Sequence, residues 1–183
     1  MRKTAFLWTV LLCFLAGSVQ AFELKEWGKH TWEEAKYVWR SDHYDAYVPF
    51  YAWHNRLAYD DEHISKYNEA ALGFGLGKSV YDEKGNWYGL YAFAFKDSNY
   101  KLETVAGFAY QKNWALDCSG DWKAGIGYTI GMTQRHEYAY IPIPMPLPIA
   151  GIEYKKLAFH LAYVPGMKNF GNVALFFARI NLY

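Results

Sequence analysis

Few residues in this chain are placed to do chemistry. Six histidines stand at His30, His43, His54, His63, His136 and His160, and none falls in an HExxH repeat or a close His/Cys cluster. Those are the spacings that hold a metal ion, so neither a metal nor a cofactor is expected. The chain has no GxSxG elbow and no phosphate-binding glycine loop. Gly85-Asn86-Trp87 has the Gly-x-Trp form of lipocalins, but it sits mid-chain in a hairpin-turn sequence and is set aside. What remains is His54, in Tyr51-Ala52-Trp53-His54, and the pair Asp97-Ser98. A His/Asp/Ser set can move a proton at an acyl carbonyl, in transfer or in hydrolysis. By residue type alone, an interfacial histidine and an ordinary loop Asp-Ser fit as well. The elements that carry them must decide.

Composition narrows those elements. Of 183 residues, 52% are hydrophobic, 20% aromatic and 20% charged, yet the mean hydropathy is only −0.20. So much aromatic surface at a net charge of +1 excludes intrinsic disorder. A balance of 19 basic against 18 acidic residues gives no electrostatic support to nucleic-acid binding. The one long uncharged apolar run lies near Met1, which argues against a helical membrane protein.

That run has the form of a secretory signal over residues 1–21. Arg2 and Lys3 supply the positive start, Ala5 to Ala16 the apolar core, and Val19-Gln20-Ala21 the small-residue cleavage site. The core is too short for a span of roughly 20 residues. Cys13 would leave with the signal, and Leu12 before it is wrong for a lipoprotein anchor. Cys118 then stands alone, so no intramolecular disulfide is expected.

Residues 22–42 read as an amphipathic helix and linker. Leu24, Trp27, Trp32, Ala35 and Trp39 fall on one side and Lys25, Glu26, Lys29, Glu33, Glu34 and Lys36 cover the rest. Such a face suits a membrane interface or a soluble core equally. From His43 the period changes to two. In Trp122 to Thr133, large apolar residues (Ile126, Tyr128, Ile130, Met132) alternate with Gly125, Gly127, Thr129 and Gly131. Leu72, Phe74 and Leu76 alternate with Gly73, Gly75 and Gly77 in the same way. A soluble barrel would carry charge on its outer phase. Here the second phase is small and uncharged, which fits large residues facing lipid and small ones lining a lumen.

Eight strands are expected, near 44–58, 71–81, 87–97, 101–111, 122–133, 138–150, 156–165 and 172–182. This is the number and length of the smallest transmembrane β-barrels. With the N-terminal helix on the periplasmic side, external loops fall near 59–70, 97–101, 133–140 and 165–171. His54 and Asp97-Ser98 then meet at the external rim, from hairpin counting alone. The expected fold is all-β: an eight-stranded antiparallel transmembrane barrel over 43–183.

Several segments are similar to a known family. They are His43-Tyr44-Asp45-Ala46-Tyr47-Val48-Pro49-Phe50-Tyr51-Ala52-Trp53-His54-Asn55-Arg56-Leu57-Ala58-Tyr59-Asp60, Asp82 to Trp87, Gly89-Leu90-Tyr91-Ala92-Phe93-Ala94-Phe95-Lys96-Asp97-Ser98, Tyr140-Ile141-Pro142-Ile143-Pro144 and Tyr163-Val164-Pro165-Gly166. In this order, across nearly the whole chain after residue 21, they resemble the lipid A palmitoyltransferase family (PagP) of Gram-negative outer membranes. The resemblance implies transfer of a palmitoyl chain from a glycerophospholipid to a hydroxyl of an acyl chain on lipid A. It maps functional residues onto His54, Asp97 and Ser98, with the imidazole taking the acceptor proton and the Asp orienting or charge-stabilising it. Ser98 as nucleophile and Ser98 as a positioning group both remain open.

The resemblance also places Ala109 at the floor of an acyl slot where the family often has glycine, which puts chain-length preference in question. Pro49, Pro148 and Pro165 match positions of lateral lipid access, since proline removes ladder hydrogen bonds. The proline expected after Tyr67-Asn68-Glu69 is absent, with Ala70-Ala71 in its place. The implied partners are a phospholipid donor, a lipid A acceptor and the outer-membrane lipid itself, with no nucleic acid, and the barrel is expected to be a monomer. Two rival readings are a non-catalytic barrel, since fold alone proves no activity, and a lipid A deacylase or phospholipase.

Overall fold

The structure, a computed structural model, describes residue 23 and residues 25–182. The signal-like segment over residues 1–21 lies outside the described residues. The chain divides into two units, residues 1–37 and 38–183. In the first, helix α1 begins and runs over residues 25–40, with Trp27 and Trp32 exposed and Lys36 donating to Glu33 at 2.8 Å.

The second unit is a closed antiparallel barrel. Its strands are β1 (Tyr44–His54), β2 (Gly73–Tyr81), β3 (Trp87–Lys96), β4 (Leu102–Ala115), β5 (Trp122–Gln134), β6 (Ile143–Tyr154), β7 (Leu157–Val164) and β8 (Val173–Asn181). Each pairs with its sequence neighbour, and β1 pairs with β8 to close the circle. Closure leaves no strand edge without a partner strand, the condition for spanning lipid with strands.

The strand count and order are as expected, and four boundaries shift by four or five residues, among them the end of β4, which runs on to Ala115 rather than 111. Strand β1 stops at His54 rather than at 58. The Asn55 carboxamide oxygen accepts from the Leu57 N–H and its carbonyl from the Ala58 and Tyr59 N–H groups, turning the chain out of the ladder. A single helical turn, α2 (Asp61–Ile64), follows, with Asp60 as its N-cap. Strand β6 starts at Ile143 rather than 138, because His136–Tyr138 forms a 3₁₀ turn and Ala139 and Tyr140 take φ of 51° and 59°. It then runs on to Tyr154 and reverses over Lys155, at φ 54°.

The alternation fixes which side chains meet solvent or lipid. Leu72, Phe74, Leu76, Ile126, Met132, Ile152, Phe159 and Ile180 form an exposed apolar belt. The interior is not the small-residue lumen that β2 and β5 suggest. Tyr47, Trp87, Phe93, Phe95 and Phe177 project inward from β1, β3 and β8 and form the core. The β2 glycines make room for them. A Cβ on Gly75 would lie 2.2 Å from the Phe93 Cβ, and one on Gly77 2.7 Å from the Tyr47 ring. Along the axis the interior has two parts, an apolar cavity and a buried polar layer of Asp45, Gln111, Glu153, His160 and Arg179.

Two stretches of ladder are open. Strands β1 and β2 pair only over Tyr44–Tyr47, and β1 shifts register against β8 between Pro49 and Tyr51. Strands β6 and β7 pair only from Ile149 to Tyr154, leaving Ile143 to Pro148 without partners on β7. Pro144, Pro146 and Pro148 share one parity, so their missing N–H groups fall on one edge. That edge faces β7, because the ladder to β5 is unbroken over the same residues.

Candidate active site

Hairpin parity carries His54, at the end of β1, and Ser98, just after β3, to the same end of the barrel. There the Ser98 Oγ lies 2.9 Å from His54 Nε2. His54 is 1% exposed. Its other ring nitrogen, Nδ1, lies 3.1 Å from Oε1 of Glu69. A carboxylate only accepts, so Nδ1 carries the proton and Nε2 is left as the acceptor for the Ser98 hydroxyl. The Tyr67 ring stacks on the imidazole at 4.8 Å and Tyr59 meets it edge-on at 5.2 Å. The imidazole is thus fixed at its edge by Glu69 and on its faces by aromatics.

Glu69 is the residue that sequence reasoning missed. It lies in the β1–β2 loop, 15 positions from His54, and no motif links the two. Its position follows from the open ladder. The Glu69 carbonyl accepts from the Ala52 N–H at 2.8 Å and its carboxylate from the His54 N–H at 3.0 Å, so one loop residue serves the β1 edge that β2 leaves bare. Arg56 binds the carboxylate through both nitrogens, at 2.5 and 2.7 Å, and Tyr51 donates at 3.0 Å. The Arg56 guanidinium, aided by the hydrogen bonds from His54 and Tyr51, holds the Glu69 carboxyl down at about 2. It is therefore ionised at any working pH.

Asp97 lines the same cavity as His54 and Ser98, with Oδ2 buried and without a hydrogen-bond partner among the described residues and Oδ1 engaged in its own turn. Its Oδ1 accepts from the backbone N–H of Asn99 and of Lys101, both at 2.8 Å, and its own N–H donates to the Lys101 carbonyl. These bonds close the β3–β4 turn that carries Ser98. The loop is tied to its neighbour as well, because the Asn68 N–H donates to the Ser98 carbonyl and the Asn68 side chain to the Asp97 carbonyl. On the far side Arg135 Nη2 is 4.0 Å from Asp97 and Arg135 Nε is 3.2 Å from Glu103. Asp97 Oδ1 thus braces the turn that carries Ser98.

Beneath this rim lies a cavity of about 430 Å³. His54, Asp97 and Ser98 line it at one end, and its shaft is apolar, with Phe93, Val105, Leu147 and Leu175 among its walls. Ala109 borders it, 2% exposed, as does Pro165. Pro49 is buried at the register shift of β1, and Pro148 is exposed on the open edge of β6. Of the two alanines that stand in place of the expected proline, Ala71 is buried.

This arrangement of barrel, rim and slot can be set against known proteins. The family described as antimicrobial peptide resistance and lipid A acylation protein PagP matches residues 34–179. The chain belongs to the PagP family. Curated members named lipid A acyltransferase PagP are similar over most of its length. One from Sodalis glossinidius is 48% identical over 83% of this chain and 79% of its own. One from Laribacter hongkongensis is 44% identical over 84% and 74%, and one from Pantoea ananatis 43% identical over 90% and 89%. The PagP match ends at residue 179 and so takes in every element of the rim, from β1 to the β7–β8 loop.

Proposed function

We propose that this chain is an outer-membrane acyltransferase that moves a palmitoyl, or similar-length, chain from a glycerophospholipid to a hydroxyl on lipid A. The observation that carries the reading is the hydrogen-bonded series Ser98–His54–Glu69 at the polar end of an apolar, acyl-shaped cavity. The donor's acyl chain fills the shaft and its ester carbonyl comes to rest at the rim. His54 Nε2 takes the proton from the attacking hydroxyl as that oxygen bonds to the carbonyl carbon. The bond to the glycerol oxygen breaks, and the imidazolium, steadied by the Glu69 carboxylate, returns the proton to that oxygen. Acylated lipid A and a lysophospholipid result, with no cofactor in the balance.

Two routes use these same atoms. In one the lipid A hydroxyl attacks directly and Ser98 positions it; in the other Ser98 attacks first and forms an acyl ester. Rapid quenching of a single turnover with radiolabelled phosphatidylcholine separates them, by whether label is bound to Ser98.

Lipids reach the shaft through the two open ladders, beside Pro49 and beside Pro148 and Pro165. The exposed apolar belt supports placement in a membrane, and export through the leader over residues 1–21 is consistent with the outer membrane. The closed sheet supports a monomer, since its two open stretches are blunted, on β1 by the bonds to Glu69 and on β6 by prolines that lack an N–H. Detergent-reconstituted protein given labelled phosphatidylcholine and lipid A is expected to yield acylated lipid A and lysophospholipid. Fatty-acid release alone would favour a hydrolase, and no product at all a non-catalytic barrel. The His54→Ala variant is expected to lose transfer while keeping its heat-modifiable mobility.

A further inference from the structure

The cavity ends against Trp87 and Phe177, and what lies behind them is polar. Arg179 is 1% exposed. Its guanidinium donates to Glu153 at 2.6 Å, to the Tyr81 hydroxyl at 2.7 Å and to Asp45 at 3.3 Å, from β8 to β6, β2 and β1. Held at these points, its planar face lies 5.0 Å from the centre of the Trp87 ring. His160, on β7, fills the remaining space. Its ring lies 5.1 Å from Trp87 and stacks on Phe177 at 5.2 Å, with 18° between planes. Both its nitrogens are engaged: Nε2 accepts from Arg179 Nε at 3.5 Å, and Nδ1 then donates to the Gln111 carboxamide at 3.2 Å. Neither His160 nor Arg179 borders the cavity.

Two glycines make this packing possible. A Cβ on Gly89 would lie 2.3 Å from the Trp87 ring, and one on Gly151 2.7 Å from His160 Nδ1. Gly151 is the cross-strand partner of His160. The imidazole is therefore seated in a gap shaped for it, and nothing in the transfer chemistry at the rim uses it. It lies at the opposite end of the cavity from His54.

We propose that His160 is a specificity-determining, positioning residue: it holds Trp87 and Phe177 at the depth that sets how long an acyl chain the slot accepts. This rests on the reading of the cavity as an acyl slot. A chain gains the burial of one more methylene only if the floor lies deep enough, so a small movement of two rings changes the measured length. His160→Ala removes the ring that backs both floor residues and lets them sink. Gly151→Ala acts in the opposite sense, because its methyl displaces the imidazole toward the rings it packs on. His160→Gln keeps a partner for Arg179 and Gln111 but loses the stacked face.

The test is a one-pot competition among phosphatidylcholines with saturated chains of 12 to 18 carbons, with lipid A as acceptor and products read by mass spectrometry. Ratios among products do not depend on the folded fraction, so partial misfolding does not mask the result. For His160→Ala, the ratio of the next longer chain to the preferred one is expected to rise about fourfold per methylene. His160→Gln is expected to move the same way, and Gly151→Ala toward shorter chains. Unchanged ratios in all three, with a shift in Ala109→Gly, would overturn the role of His160 alone. Unchanged ratios in Ala109→Gly as well would overturn the acyl-slot reading with it.

Discussion

Replacing Glu69 by glutamine tests the geometry of the base with the smallest change in shape. The carboxylate serves five donor contacts, two from Arg56, two from His54 and one from Tyr51. Only the one at Nδ1 changes strength during turnover, as the imidazole becomes an imidazolium. A hydrogen bond to a charged group contributes about 1.5–3 kcal/mol, which translates to a fall in kcat of roughly 10- to 150-fold. The amide adds a second fault. Whichever way it turns, its NH2 meets donors, Arg56 and Tyr51 at the Oε2 position or Arg56 and the His54 N–H at the Oε1 position, which loosens the hold on the imidazole. Glu69 does not border the cavity, so KM for the phospholipid is expected to stay within about twofold. The assay is initial-rate transfer of labelled palmitate to lipid A in detergent, with heat-modifiable mobility as the control for folding. On a His54→Ala background, Glu69→Gln is expected to cost nothing further, because the two act as one unit. A kcat within threefold of the unsubstituted enzyme, or additive losses in the double variant, would refute this role for Glu69.

Asp97→Ala is expected to lower kcat by tenfold or more through loss of the turn that carries Ser98, whereas Asp97→Asn keeps an acceptor for Asn99 and Lys101 and should retain most activity; equal losses would mean that the charge matters more than the turn. Ala109→Gly is expected to shift the preferred donor chain about one methylene longer, each buried methylene contributing about 0.8 kcal/mol, as read by the product profile. Stability in detergent is expected to fall as pH drops from about 4.5 toward 2. Arg56 depresses the Glu69 carboxyl in the folded state, so its contribution is complete above the unfolded value and lost through the folded one. Unfolding midpoints between pH 6 and 3 should show a shallower slope in Glu69→Gln, with Asp60, also lowered to about 2, supplying part of what remains.

What the sequence made legible followed from period two. Alternation in β5 and β2 marked the outward apolar phase, and counting hairpins placed His54 and Ser98 at one rim. Three things resisted. Glu69 was hidden because its role depends on where the β1–β2 ladder stops, and ladder breaks are a property of two strands together. The turn bonds of Asp97 were hidden because Asp-Ser beside a histidine has the composition of a triad, while one of its oxygens closes the β3–β4 turn. The interior was read as small because glycines were counted on their own strands. Gly75 and Gly77 are small so that Phe93 and Tyr47 can be large, and only the register shows which ring crosses which glycine.

The two ladder openings are maintained by different means, and the difference bears on catalysis. In a membrane an unpaired strand N–H has no water to bond, so each opening must either remove its donors or supply acceptors. Beside β7, three prolines of one parity remove them, and the edge of β6 stays bare at no cost in lost bonds. Beside β2, the donors of Ala52 and His54 are kept, and Glu69 meets both. That second solution puts a carboxylate 3.1 Å from His54 Nδ1, which holds the imidazole in one tautomer. Glu69 therefore joins two functions in one residue: the group that satisfies the open edge of β1 is also the group that orients the imidazole. A loop that left β1 would give up both sets of bonds together, so the imidazole is aligned only while Glu69 covers that edge.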